Sequence, residues 1–491
     1  MKPTLILLLG LWLATTALAQ IPVPTPNQTP VVTQQFAFRC GDMGTEKCPD
    51  GSRPAALIQA SDGSFYGTAQ VSEEGVSNPH GGTIFKLTPG SQFTLLFTFA
   101  PGKNESFPNG DAPGASLVEG KDGFLYGTTF AGGADNAGII FKISKKGTFQ
   151  VLHSFCSLGG CADGSGPVGL ILGDDGNFYG ATHSGGSSVP PCGATAGCGT
   201  LFRITRGGLL STLHALNGVI EGSQPLGLIQ ASDGNFYGAD IGDNADGNVF
   251  RLTPGGQFTI LHAFPSLQTP ISGLVQGANG NLYGIFATYG TNQEQTFEIG
   301  LSGSGFQTFP PFARLAGVLG VPSLVLASDG NLWGTTFEGG VSGDGGVFAL
   351  SRKGAVPLSF SFDGANGSLP LAPVIQGADG KIYGTATRGG TDLRGHLAAG
   401  TVWALDAALP PPAPAIATVT PSSGQTASKV TIRGTHFIGT TAVSFNGTNA
   451  LFTVLNVNFI IATVPPGGTT GPVTVTNAGG TATSQQEFTV E

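Results

Sequence analysis

Gly227-Leu228-Ile229-Gln230-Ala231-Ser232-Asp233-Gly234-Asn235-Phe236-Tyr237-Gly238-Ala239 reads as two short strands joined by a tight turn. Asp233-Gly234 makes the turn, because Asp bonds back to its own backbone and Gly accepts positive φ. A Gly-rich loop follows, then a strand Val249-Phe250-Arg251-Leu252, a Pro254-Gly255-Gly256 turn and a last strand from Phe258 to Phe264. These strands are named A to D. The phrase Asp/Asn-Gly-x-aromatic/aliphatic-Tyr/Trp-Gly starts at Asp62, Asp122, Asp175, Asp233, Asn279, Asp329 and Asp379. The steps are 60, 53, 58, 46, 50 and 50 residues, and six of the seven Tyr fall in the phrase. Four short strands repeated seven times is the pattern of propeller blades.

The ends of the repeat predict how it closes. The seventh unit stops after its C strand, Thr401-Val402-Trp403-Ala404-Leu405, with no D strand behind it. The chain opens instead with an orphan strand, Gln34-Gln35-Phe36-Ala37-Phe38, which matches the D strands Leu95 to Phe99 and Leu358 to Phe362. The expectation is an all-β fold: a closed seven-bladed propeller over 32–408, completed by the N-terminal strand 34–38. Closure removes exposed sheet edges.

Composition agrees with many tight turns. Gly numbers 80 and Pro 33 in 491 residues, and charged residues are only 10 %, against roughly 25 % in an ordinary soluble domain. Phe numbers 33, which is ample for a core. A net charge of −9 without a basic run argues against nucleic acid as a partner. Lys2, the apolar run Leu5 to Leu13 and Ala17-Leu18-Ala19 read as a signal peptide over 1–19, followed by a Pro-rich linker 20–31. No other long apolar stretch predicts a membrane span. The expected location is therefore outside the cytoplasm, secreted or held at the cell surface or in a periplasm. Cys40, Cys48, Cys156, Cys161, Cys192 and Cys198 fit that compartment as three close disulfides, Cys40–Cys48, Cys156–Cys161 and Cys192–Cys198.

Past Asp406, Leu409-Pro410-Pro411-Pro412-Ala413-Pro414 (409–414) is a stiff linker. Residues 415–491 then alternate Val and Thr between Gly-Pro turns, which predicts a small β-sandwich.

Two resemblances accompany this reading. The blocks Asp-Gly-Asn-Phe-Tyr-Gly, Phe337-Glu338-Gly339-Gly340 and Thr200-Leu201-Phe202-Arg203-Ile204-Thr205 resemble the GloVer (Gloeo_Verruco) tandem repeat over about residues 32 to 408. That likeness implies an exported bacterial protein and supplies no catalytic residues. Ile416 to Gly424, Val430 to Phe437 and Gly471 to Asn477 resemble an IPT/TIG immunoglobulin-like domain, which implies a spacer or contact module.

Catalytic signatures are absent: the chain has no G-x-S-x-G, no H-E-x-x-H and no P-loop. His153, His214 and His262 occupy one D-strand position that holds Phe97 and Phe360 in other units. A position that takes Phe or His reads as packing. The seven Asp/Asn-Gly pairs read as turn chemistry, and the repeated Tyr as blade-to-blade packing. Acidic or amide residues Asp50, Asn109, Asp163, Glu221 and Asn366 each precede a Pro-started strand A. They read as turn caps, with a cation-binding cluster at one mouth of the channel as the alternative. Asp240, Asp243 and Asp246 stand in an oxygen-rich loop that resembles half a calcium loop, the one place where the sequence offers a cofactor.

Antiparallel A-B-C-D order puts the tight A–B and C–D turns on one face and the variable B–C and D–A connections on the other. All six Cys fall in the second set, and at the exit of strand B the repeat offers Phe130, His183, Phe337 and Arg388 toward that face. Binding residues concentrate on loops held by rigid scaffolds. The expectation is a non-enzymatic binding, adhesion or structural protein whose looped face contacts a glycan or protein. The alternative is a propeller enzyme, a lyase or glycan-degrading enzyme, working at the channel mouth.

Overall fold

The computed structural model describes residues 31–39, 47–73, 81–103, 106–186, 197–218, 220–242, 246–291, 293–310, 312–313, 324–337, 339–351, 358–392 and 398–491. The signal-peptide stretch 1–19 and linker residues 20–30 lie outside them. Strands and turns dominate, and a short 3-10 turn occupies Gly159–Cys161. No helix among the described residues is long and apolar enough to cross a membrane.

Seven successive antiparallel sheets form a propeller-like array. Sheet 4 shows the plan: Pro225–Gln230, Phe236–Asp240, Asn248–Leu252 and Phe258–Ala263 pair in chain order. Five of the other sheets have four strands too, and sheet 5 has six, because each of its two outer members is split into two short strands. In sheet 7 the fourth strand is Val31–Ala37, paired with Thr401–Asp406. Phe36 faces Val402 as Phe97 faces Ile84 in sheet 1, so the N-terminal strand takes the D register. It begins a little earlier than the expected Gln34 and ends before Phe38, which is buried and bonds through its backbone to Gly400 and Ala399 at 2.9 Å.

Each turn is built as its residues dictate. Gly63, Gly123, Gly176, Gly234, Gly280, Gly330 and Gly380 all have φ between 76° and 91°. The preceding Asp or Asn accepts the amide of the residue two further on in every sheet, from 3.0 Å at Asp175, Asp233 and Asp329 to 3.4 Å at Asp122. Strand A ends in Gln59, Gln230, Gln276 or Gln376, whose side-chain amide donates to the carbonyl of its own turn glycine. The same side chain accepts a backbone amide from the preceding sheet. Gln59 takes Ala378 of sheet 7 this way at 2.9 Å. Sheets 7 and 1 are therefore joined by the bond used within the series.

Packing repeats along the seams. The Tyr rings meet the next sheet's first strand-B residue: Tyr126 lies on Phe178 and Tyr179 on Phe236 at 4.0 Å, and Tyr383 lies on Phe65 at 4.3 Å. At the outer edge a second stack recurs, Phe36 on Phe93, Phe97 on Phe149, His214 on Phe258 and His262 on Phe306, nearly parallel at 3.5–4.4 Å. A flat ring is all the position requires, which is why His and Phe interchange there.

Residues 415–490 form two further sheets around one core of Val430, Ile432, Phe445, Ile460, Val475, Phe488 and their neighbours. The expected small β-sandwich is thus present in outline. Cys156 and Cys161 are bonded, and Cys48 and Cys198 are also in disulfides. Cys40 and Cys192 lie outside the described residues.

Candidate functional site

On the tight-turn face the carboxylates are consumed by the turn. Tyr66, Tyr126, Tyr179, Tyr237 and Tyr383 donate their hydroxyls to Asp62, Asp122, Asp175, Asp233 and Asp379 at 2.7–2.9 Å. Burial and the partner Asp175 push the Tyr179 hydroxyl up to about 12. Burial alone would raise Asp175, but donors from Asn177 and Tyr179 hold it below its ordinary value. Aspartates bound in this way do not form a metal ring.

Three of the five strand-A entrance residues are engaged by side chains of strand D or just after it. Asp50 is buried and takes Nε and Nη2 of Arg39 at 2.7 and 3.0 Å. Asp163 is fully buried, with Ser157 Oγ at 2.8 Å and His153 Nε2 at 3.0 Å on one oxygen. Glu221 meets His214 at 3.1 Å. Arg39, His153 and His214 belong to strand D or directly follow it, so each acid sits under the outer strand of the sheet before it. The chain crosses from outer to inner strand at that point, and the acid pins the crossing. For Asp50, Asp163 and Glu221 these partners replace the alternative of a cation-binding cluster at the channel mouth. The histidines act in packing, as their interchange with Phe indicates, and His153 and His214 also bond to the acids Asp163 and Glu221.

On the looped face, Phe130 and His183 come together from adjacent sheets. Their ring centroids are 5.8 Å apart, edge to face, and Phe130 also lies over Gly166. Phe130 is 50 % exposed. Burial pushes His183 below its ordinary value, against the hydrogen bond with the side chain of Gln224. Phe337 is half-buried and Arg388 exposed, on sheets 6 and 7. Arg388 stands one place further along than the others. It bridges Ser368 as Ala131 bridges Asp111, so the residue matching Phe130 is Thr387. The exposed large apolar side chains Phe130, Leu158, Ile220, Leu267, Tyr289 and Val341 all sit on this face. The tight turns contribute Leu209 alone among the described residues.

Asp240 ends strand B of sheet 4, fully buried, and Asp246 is exposed beyond it. Asp243 lies outside the described residues, and no group of three metal-ligating side chains occurs among the described ones.

Between the A strands runs a channel of about 330 Å³, lined by small and apolar residues such as Ala56, Ala115, Gly169, Leu228, Gly273 and Pro373. Its tight-turn end is covered by the C-terminal sandwich. A cavity of about 390 Å³ separates them, walled by Ile58, Leu117, Ile171 and Ile229 below and by Val457 and Phe459 above. Arg433 pairs with Asp174, and Asn456 Nδ2 donates to the carbonyl of Glu119 at 2.9 Å. Lys121 Nζ lies 3.7 Å from the centre of the Phe459 ring. The Pro linker crosses sheets 6 and 7, its Pro410 carbonyl taking Ser328 Oγ at 2.6 Å. Sequence reasoning missed this docking. One signal was available: Arg433 is one of only two cationic residues, with Lys429, after residue 414.

A model of the Gloeobacter/Verrucomicrobia repeat matches three overlapping stretches, 53–297, 189–398 and 240–455. No curated protein matches the chain. Similar solved structures include a putative gluconolactonase, 10 % identical, covering 77 % of this chain and 91 % of that one with a TM-score of 0.39. An oligogalacturonate lyase in complex with manganese is 11 % identical over 77 % and 96 % of the two chains, with a TM-score of 0.46. A putative 6-phosphogluconolactonase from Bacteroides uniformis is 14 % identical over 68 % and 94 %, with a TM-score of 0.44.

Proposed function

The chain belongs to the Gloeobacter/Verrucomicrobia repeat family, and from that premise we propose that it is an exported, non-enzymatic binding protein. Its seven sheets close into one ring, a seven-bladed propeller over 32–408 sealed by the N-terminal strand. The 415–491 module is an immunoglobulin-like domain of the IPT/TIG kind. The looped face receives a protein or glycan partner outside the cytoplasm. The leader-like sequence 1–19 and the Cys156–Cys161 disulfide support export.

The observation that carries this reading is the contrast between the faces. The sandwich and its linker occupy the tight-turn side, while exposed apolar side chains gather on the other. Recognition concentrates on loops held by a rigid scaffold, and exposed apolar side chains there supply contact area. The described channel lining carries no carboxylate–imidazole pair, and catalysis by proton transfer needs such a positioned acid and base. That weighs against the alternative of an enzyme working in the channel.

The test is a screen of the purified chain on a glycan array and against a panel of purified secreted proteins. Ile220→Asp and Val341→Asp should abolish any binding found, and Leu209→Asp should leave it intact. Loss of binding with Leu209→Asp alone would overturn the assignment of the face.

A further inference from the structure

The negative charge of the chain is not shared evenly by the two faces. In sequence, the tight A–B and C–D turns together hold seven acidic and seven basic residues. The B–C and D–A connections hold fourteen acidic residues and five basic ones, a difference equal to the formal net charge of −9 of the whole chain. The acids of the turns are also engaged. Asp62, Asp122, Asp175, Asp233 and Asp379 hold Tyr hydroxyls, Asp329 faces the Trp333 indole nitrogen at 3.3 Å, and Asp174 pairs with Arg433.

On the looped face the buried acids are engaged as well, Asp50 by Arg39 and Asp163 by His153. Asp135, Asp246 and Asp363 are exposed and Asp344 is half-buried, and none of the four bonds to a cationic side chain among the described residues. They are distributed round the ring, and three of them accompany exposed apolar side chains. Asp135 shares the 130–138 connection with Phe130, and Asp344 shares 337–345 with Val341. Asp246 bridges to Gln268, whose neighbour Leu267 is 57 % exposed. Among the described residues the exposed bases of this face are Arg39, Lys103 and Arg388, and Asp50 already neutralises Arg39.

We propose that the looped face takes a cationic protein, one that offers lysine or arginine beside apolar side chains. The inference rests on the looped face being the binding face and adds the chemistry of its partner. A carboxylate close to an apolar side chain suits Lys and Arg, whose stems lie on apolar surface while their heads reach the charge. Charge of one sign steers an oppositely charged partner into contact and rejects a like-charged one. An acidic polysaccharide is repelled, and a neutral glycan gains nothing from the excess of carboxylates. The three acid-and-apolar pairs stand on separate sheets, a spread that a protein surface can span.

The test uses the full chain and two synthetic peptides of equal length, one alternating lysine with leucine and the other glutamate with leucine. Binding is read by calorimetry in about 0.15 M sodium chloride and again in about 1 M, where the screening length falls from roughly 8 Å to roughly 3 Å. The lysine peptide should bind and the glutamate peptide should not, and the lysine peptide should weaken at least tenfold in the higher salt. The triple variant Asp135→Asn, Asp246→Asn, Asp344→Asn keeps size and an acceptor oxygen at each position. It should melt as the wild type does and bind the lysine peptide at least tenfold more weakly. No binding of the lysine peptide, equal binding of both peptides, or full-strength binding by the triple variant overturns the proposal. The choice of face is read separately with Phe130→Ala combined with Phe337→Ala. A partner found by screening that this double variant loses, while salt and the triple variant leave it bound, keeps the looped face and removes the cationic partner. Lysine-peptide binding that neither variant weakens removes both.

Discussion

On the tight-turn face each of the seven sheets turns on the same side-chain-to-amide bond. On the looped face strand B runs out into Gln70, Phe130, His183, Ile241, Ala287, Phe337 and Thr387 in turn. The same repeat is thus uniform at one end and divergent at the other. The uniform end makes the seams: the Asp carboxylate holds the Tyr hydroxyl, the Tyr ring packs on the next sheet, and the strand-A Gln clasps the sheet before. Sheet 5 shows how the role is kept, since Asn279 there donates to Tyr283 and reverses the bond while Tyr283 still packs with Leu332 of the next sheet. The divergent end makes no seam of this kind, so its side chains are free to vary. Stability should therefore reside at the turns, the seams and the closing strand, and recognition at the loops.

The largest break of this contrast is removal of residues 20–39. It strips the outer strand from sheet 7 and exposes the edge of Thr401–Asp406. Unpaired edges template aggregation. The truncated chain is expected to aggregate, or to lose its cooperative melt near the wild-type temperature. An unchanged melt with unchanged hydrogen exchange in sheet 7 would refute closure by this strand.

Next comes Tyr237→Ala, which empties a fully buried ring site and removes its bond to Asp233. A loss of about 3–5 kcal/mol is expected from large-to-small substitution in a core. Tyr289→Ala on the looped face removes a ring that is half exposed, and a change within about 0.5 kcal/mol is expected for a surface site. Urea titrations of the two variants measure the asymmetry directly, and equal losses would erase it.

The sequence made the uniform end legible because every one of its residues acts locally or at a fixed repeat offset. Asp62 and Tyr66 are four residues apart and bond to each other. The orphan strand was readable because Phe36 copies the place of Phe97. What stayed hidden depends on distances that no offset encodes. The acids Asp50 and Asp163 were placeable at a strand entrance, but their partners Arg39 and His153 are set by how far the chain crosses between sheets. Arg388 is one residue out of register with Phe130 because the loops differ, and only the Ser368 bridge shows it. The seat of the sandwich on Asp174 and Glu119 depends on the path of the Pro linker, which composition marks as stiff without giving its direction.

Acid provides a milder probe of the uniform end. Asp62, Asp175 and Asp233 are held below their ordinary value of 3.8. For each, burial works in the opposite direction and hydrogen-bond donors outweigh it. A carboxyl with a depressed folded value binds fewer protons folded than unfolded, so its contribution is complete above the ordinary value. It is lost as pH falls from about 4 through the folded value. The melting temperature should fall on acidification below about pH 4, and less steeply in the Asp175→Asn, Asp233→Asn double variant. A double variant with the wild-type slope would remove these turns from the account.

The smallest effect on stability, and the one most informative about function, belongs to Phe130→Ala combined with Phe337→Ala. Phe130 touches His183 and lies over Gly166, yet half its surface is open. Phe337 lies on sheet 6, next to the sheet that holds the closing strand, and is half-buried. Neither ring reaches the Tyr seams or the outer stacks, so their loss should shift unfolding by no more than about 1 kcal/mol together, the range of partly exposed sites. Aromatic rings supply contact area with little ordering cost, having only two rotatable bonds. If the looped face is the binding face, the double variant should lose ten-fold or more in affinity for any ligand found, with its melting curve nearly unchanged. Arg433→Glu, which breaks the pair with Asp174 on the opposite face, is the matched control and should leave that affinity alone. A double variant that binds normally while Arg433→Glu does not would move recognition to the face now covered by the sandwich, and the contrast between the two ends of the repeat would have to be reversed.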